Sequence, residues 1–168
     1  MASKVITQGR QSIGNQVESR YDFGMIPFPP NRDLLYTHPE PVDIQRILHN
    51  AFQLNQDIAE QLEGHMPFGV ALTQADEIHF IGYTGGPIDN GLIESVAEQL
   101  KAQRSNLKAC ARCAHVEIGL ENGHRIHALQ VIIEHENGPA ICVYQPNQSQ
   151  SKWWIEAAQS MIMTRAKP

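Results

Sequence analysis

The stretch Val131-Ile132-Ile133-Glu134-His135-Glu136-Asn137-Gly138-Pro139-Ala140-Ile141-Cys142-Val143-Tyr144 decides how this chain is read. An Asn-Gly pair stands between two apolar runs. A second pair, Asn122-Gly123, lies upstream, between Val116-Glu117-Ile118 and Ile126-His127-Ala128-Leu129. Asn-Gly tolerates the positive φ angles of a two-residue type I′ turn, whose twist suits a right-twisted antiparallel pair. The two pairs therefore predict a three-stranded meander from about Lys108 to Pro146.

Two-residue turns would also fix the register. They place Cys113 opposite Ile132 and Ile132 opposite Val143, because each tight turn sets the pairing of its whole hairpin. One face then carries Ala114, Val116, Ile118, Leu129, Val131, Ile133, Cys142 and Tyr144, an almost continuous apolar surface and the expected core side. The second face mixes Ala111, Cys113, Ile126, Ala128, Ile132, Ile141 and Val143 with Glu117, Gln130 and Glu134. So mixed a face calls for partial cover, by a helix or another subunit.

Outward from the meander, Ile44, Ile47, Leu48, Ala51, Leu54, Ile58 and Leu62 recur at helical spacing behind Pro39 and Pro41, and Gly64 marks the stop. Pro67–Leu72 and Glu77–Tyr83 flank the polar Thr73-Gln74-Ala75-Asp76 and predict a hairpin. Thr84-Gly85-Gly86-Pro87 then breaks the chain, and Asp89 or Asn90 caps a helix carrying Leu92, Ile93, Val96 and Leu100. After the meander, Ser149 or Ser151 offers an N-cap to a closing helix bearing Trp153, Trp154, Ala157, Ala158, Met161 and Ile162, with Arg165 and Lys167 near its negative end. The expected fold is α+β, with element order α-β-β-α-β-β-β-α and helices on a five-stranded antiparallel sheet. Residues 1–36 read as an extended or partly disordered arm, its prolines and Tyr21, Phe23, Met25, Ile26 and Phe28 suited to docking, and residues 37–168 as one domain.

Composition narrows the function classes. The chain has 168 residues, near the usual size of one domain with an extension. Its formal charge is −5 and its cations are scattered, so the basic footprint needed for nucleic acid is missing. No apolar run approaches the roughly 18 residues of a membrane helix, and the polar start lacks a secretory core. Three cysteines in such a chain suit free thiols and a cytoplasmic location.

Cys110-Ala111-Arg112-Cys113 would be half a zinc site, but a second pair is missing and residues three apart on a strand face opposite ways. His115, His124 and His127 do not share a face in the predicted register. Neither group is expected to hold a metal, and no cofactor is expected. The Gly85-Gly86 turn lacks the Lys-Ser or Lys-Thr ending of a phosphate loop. A zinc-deaminase reading fails because its His/Cys-x-Glu and Pro-Cys-x-x-Cys helix starts are absent. What remains is Cys110, opposite His135 in the predicted register, with Cys142 diagonal to His135 at about 7–8 Å. Such a group could lower a thiol pKa and make a nucleophile. Packing alone accounts for the two cysteines as small core hydrophobes, with His135 capping the sheet edge, and this is the expected reading.

The element order from Pro39 to Met163 resembles the roadblock, longin and profilin-like domains. Pro67-Phe68-Gly69-Val70-Ala71-Leu72 and Glu134-His135-Glu136-Asn137-Gly138-Pro139-Ala140 also resemble stretches of uncharacterised bacterial proteins. Roadblock-like proteins are dimeric scaffolds that regulate small GTPases. The resemblance implies a partner-binding role, and the expectation is a non-catalytic interaction or regulatory module acting as a homodimer. The alternative is a small thiol-dependent or hydrolytic enzyme using Cys110 and His135.

Overall fold

A computed structural model of the protein describes residues 34, 37–61, 66–82, 90–119, 123–146 and 154–164. The expected arm apart from residue 34, the Gly64 stop, the Gly85-Gly86 turn with its Asp89 cap, Asn122, Ser149, Ser151 and Trp153 lie outside them. The order is α1 (Pro41–Gln61), β1 (Phe68–Thr73), β2 (Ile78–Ile81), α2 (Asn90–Gln103), a 3-10 turn (Arg104–Asn106), β3 (Leu107–Gly119), β4 (Arg125–His135), β5 (Ile141–Pro146) and β6 (Trp154–Ala157). The fold is α+β, and the sheet runs β2-β1-β3-β4-β5-β6.

Two compact units are distinguished. The described residues of one fall within His115–Gln130 and Val143–Glu156; the other comprises Asp33–Ala114, Val131–Cys142 and Ala157–Pro168. In the second unit Pro41 opens α1 at the position where a missing N–H costs nothing. Ile44, Ile47, Leu48 and Ala51 form its buried stripe, as their spacing predicts. β1 and β2 form the expected hairpin, with Val70 opposite Phe80. Asp76 takes the left-handed position of its turn at φ 68°. Thr73 closes that turn: its Oγ1 accepts from the Glu77 N–H at 3.1 Å.

β1 pairs antiparallel with β3, Val70 opposite Ala111 and Ala71 opposite Cys110. A register shift at Leu72/Thr73 leaves Lys108 as an extra residue in β3. Every residue of β1 is buried. Both its faces are covered, since α1 and α2 each pack against it. On the α2 side, Ala71, Ile81, Val96, Leu100, Leu107, Cys110, Ile162 and Met163 make one apolar cluster.

Three expectations are corrected. The sheet has six strands, not five, because the predicted closing helix is β6 followed by an irregular segment through Thr164. Ile155, Ile162 and Met163 are buried while Ala157 and Met161 are exposed, so the helical-looking spacing does not describe the buried side of this segment. Second, the Asn137-Gly138 turn is not type I′. The β4–β5 connection runs from Glu136 to Ala140, and neither Asn137 nor Gly138 has positive φ; of the pair-bearing glycines only Gly123 does, at 84°.

Third, the register differs by one residue. The Glu136 N–H donates to the Lys108 carbonyl at 2.8 Å, whereas two-residue turns would set Lys108 opposite Asn137. Side chains agree with the shift. Arg112 faces Glu134 at 3.7 Å. Glu117 pairs with Arg125, and with His127 at 3.7 Å. Gln130 donates to the Tyr144 hydroxyl at 3.2 Å. Each of these pairs was expected on opposite faces, and a one-residue slip is what moves them together.

Candidate functional site

One polar group among the described residues lies where the chain enters α1. His38 precedes the helix, Glu40 ends the approach to it and Asp43 sits in its first turn, where a carboxylate suits the positive helix end. Across from them is His135, the last residue of β4. Its Nε2 lies 2.9 Å from Asp43 Oδ2. Its Nδ1 accepts the Asn137 N–H at 3.0 Å. His38 repeats the second device: its Nδ1 accepts the Glu40 N–H at 2.9 Å. The two rings meet edge to face, centroids 5.6 Å apart. Both residues are buried, with 4% and 5% of their surface exposed.

Proton placement decides the chemistry. A ring nitrogen that accepts from a backbone N–H carries no proton, so in each neutral histidine the proton sits on Nε2. His135 therefore donates to Asp43. This looks like the His–Asp half of a general-base arrangement, but such a base needs a second ring nitrogen aimed at substrate. Here that nitrogen is bound to the chain's own backbone. Glu40, Asp43 and His135 also bring three ligand-type atoms within 4.8 Å of one another. The donor set does not fit a cation. A ligating histidine presents a bare nitrogen to the metal and donates its other N–H outward, the reverse of the pattern at His135.

Burial, then the charge of His135, lowers the His38 pKa below its ordinary 6.5; the Pro139 carbonyl, Glu40 and Asp43 act in the opposite sense without prevailing. His38 Nε2 is buried and makes no hydrogen bond of normal geometry. It lies against Gly138, where an added Cβ would stand 2.5 Å from it. Glycine at 138 thus serves close packing rather than turn conformation.

A second polar centre joins β4 to the C-terminal segment. Glu134, 1% exposed, points one carboxylate oxygen, Oε1, at four donors. These are the Ser160 hydroxyl at 2.7 Å and the N–H groups of Met161, Ile162 and Met163 at 2.9, 2.8 and 2.8 Å. Successive N–H groups converging on one oxygen form an anion nest, filled here by the protein's own side chain. The bonds hold Ile162 and Met163 in the apolar cluster beneath α2.

The cysteine–histidine group expected from sequence takes a different form. Cys110 and Cys142 are buried, as is Cys113, and no disulfide joins them. Burial, then the neighbouring Glu134 charge, pushes the Cys110 thiol up to about 12. Cys113 is raised further, by burial first and then by Cys110. A nucleophilic thiol needs the opposite shift. Both nitrogens of His135 are engaged with Asp43 and Asn137, so the ring offers no base to a thiol.

Sequence reasoning missed His38, Asp43 and the carboxylate nest. His38 stood beside a segment read as an arm, and Glu134 was assigned to a half-covered face. No motif joins residues so distant in the chain. Comparison with protein-family models, with curated proteins and with solved structures finds no match.

Proposed function

We propose that this chain is a non-catalytic interaction or regulatory module that acts as a homodimer. The observation that carries this reading is the use made of His135. Its two ring nitrogens hold Asp43 and Asn137, so the most enzyme-like constellation serves as an internal tie. Cys110, with its raised pKa, supports the same side of the choice.

For the partner-binding side, the support is surface apolarity at a sheet edge. β2 is a terminal strand among the described residues, and Phe80 on it is 48% exposed. Val42, in the first turn of α1, is 70% exposed. An edge strand presents a row of backbone donors and acceptors that a second strand can pair with. A second copy of the chain, adding its β2 antiparallel to this one, would continue the sheet and cover Phe80. The resemblance in element order to roadblock-like scaffolds, which holds from α1 to β5 and ends where β6 replaces the expected helix, points the same way.

Light scattering over a range of concentrations tests the reading. A dimer that the Phe80→Lys variant converts to monomer, at unchanged far-UV circular dichroism, is the expected result. A wild-type chain that stays monomeric at every concentration overturns it.

A further inference from the structure

The geometry points to a pH-sensitive latch, in which the His38 ring holds the turn Thr37–Glu40 closed ahead of α1 while Nδ1 is bare and lets the turn open when Nδ1 takes up a proton. One device occurs twice in the structure. His38 accepts the N–H of Glu40 and His135 accepts the N–H of Asn137, each two residues ahead. Uptake of a proton from water at Nδ1 turns that acceptor into a donor facing a donor, and the bond is lost. The turn packs on the Glu136–Ala140 connection through these same rings, 5.6 Å apart, with the His38 ring also against Gly138.

Charges around the rings set how readily His38 takes up that proton. His135 has Asp43 on its Nε2, so a positive ring there would keep a counter-ion. His38 has no such partner on Nε2. Glu40 and Asp43 from α1 and the Pro139 carbonyl from the connection favour a charged His38, while burial and His135 oppose it and prevail. Glu136, the remaining acidic side chain of the connection, accepts instead from Gln74 at 3.0 Å. The closed turn thus opposes the charged form of the ring that accepts the Glu40 N–H.

The sign follows from linkage. The latched state binds the His38 proton less readily than the open state does, whose histidine titrates at its ordinary value of 6.5. The latch is at full strength above that value and weakens as pH falls below it. If the latched ring excludes the proton, the open-to-latched ratio rises about tenfold between roughly pH 7.5 and 5.5 for one such histidine.

Amide hydrogen exchange of the full chain by NMR, corrected for the intrinsic pH dependence of exchange, tests this. The expected result is an approximately tenfold loss of protection at Glu40 over that range, following the ring titration of His38, while β3 amides stay protected. His38→Asn keeps a side-chain oxygen near the Nδ1 position without a titrating group, and should remove the pH dependence. Unchanged protection of Glu40 in the wild-type chain overturns the latch. So does loss of Glu40 and β3 protection together, which would report global unfolding, or an identical pH dependence in His38→Asn. Should that variant not fold, the wild-type comparison of His38 titration with Glu40 exchange decides by itself.

Discussion

Gly138 and His38 lie so close that a Cβ on the glycine would stand 2.5 Å from Nε2 and 2.6 Å from Cε1 of the ring. The ring has nowhere to retreat, since its Nδ1 is tied to the Glu40 N–H and its other face is buried. Gly138→Ala should therefore destabilise the protein by about 1–3 kcal/mol through overpacking. Gly123→Ala offers the contrast. A Cβ there meets none of the described residues within 4 Å, but φ is 84°, so a conformational cost of roughly 1–2 kcal/mol is expected with no effect on the His38 ring. Urea unfolding of both variants, with the His38 ring signal followed by NMR, separates the two mechanisms.

Glu134→Ala would strand three backbone N–H groups and the Ser160 hydroxyl, and leave Arg112 without its carboxylate. The loss should reach about 3–5 kcal/mol, the range for removing one member of a buried charged pair. Glu134→Gln keeps an acceptor oxygen and should cost less. In either variant the amides of Met161, Ile162 and Met163 should exchange faster than those of β1. Equal protection in Glu134→Ala and wild type would show that apolar packing alone holds the segment.

Iodoacetamide at pH 8 should leave Cys110 unmodified in the native protein and label it in denaturant. Its pKa, pushed up to about 12, leaves almost no thiolate at that pH, and the buried sulfur admits no reagent. Rapid native labelling of Cys110 below about pH 8.5 would restore the thiol-enzyme alternative.

Asp76 accepts from Lys108 at 3.2 Å and from Arg46 at 2.7 Å, and these hydrogen bonds, Lys108 first, hold its carboxyl below the ordinary 3.8. Stability from this group is complete above 3.8 and is lost as pH falls through the lower folded value. The pair is exposed, so the effect is small and weakens with salt. Thermal melts of Asp76→Asn should show a shallower acid dependence below about pH 4 than wild type, at low ionic strength. Parallel acid profiles for the two proteins would remove the role assigned to this carboxylate.

Much of the fold was legible because it rests on local pattern. The apolar stripe Ile44, Ile47, Leu48, Ala51 fits a helix with one buried side, and Thr73-Gln74-Ala75-Asp76 has the residues a hairpin turn requires. The C-terminal segment misled because Trp154, Ala157, Ala158, Met161 and Ile162 happen to fall at helical spacing. Its conformation is set elsewhere, by the carboxylate of Glu134 collecting the N–H groups that a helix would have used internally.

The Asn-Gly pairs were right about where the strands end and wrong about how the strands align. Sequence by itself determined an α+β chain, an amphipathic helix, a hairpin and a meander, since these depend on periodicity and on residues with special backbone freedom. Only tertiary structure decided the register, the sixth strand and the polar centres. The connection after β4 runs from Glu136 to Ala140 with Gly138 under the His38 ring, and a slip of one residue moves every side chain of a strand to the other face. The slip between β3 and β4 set Arg112 beside Glu134, and His135, the predicted partner of Cys110, is tied to a helix whose sequence lies far upstream.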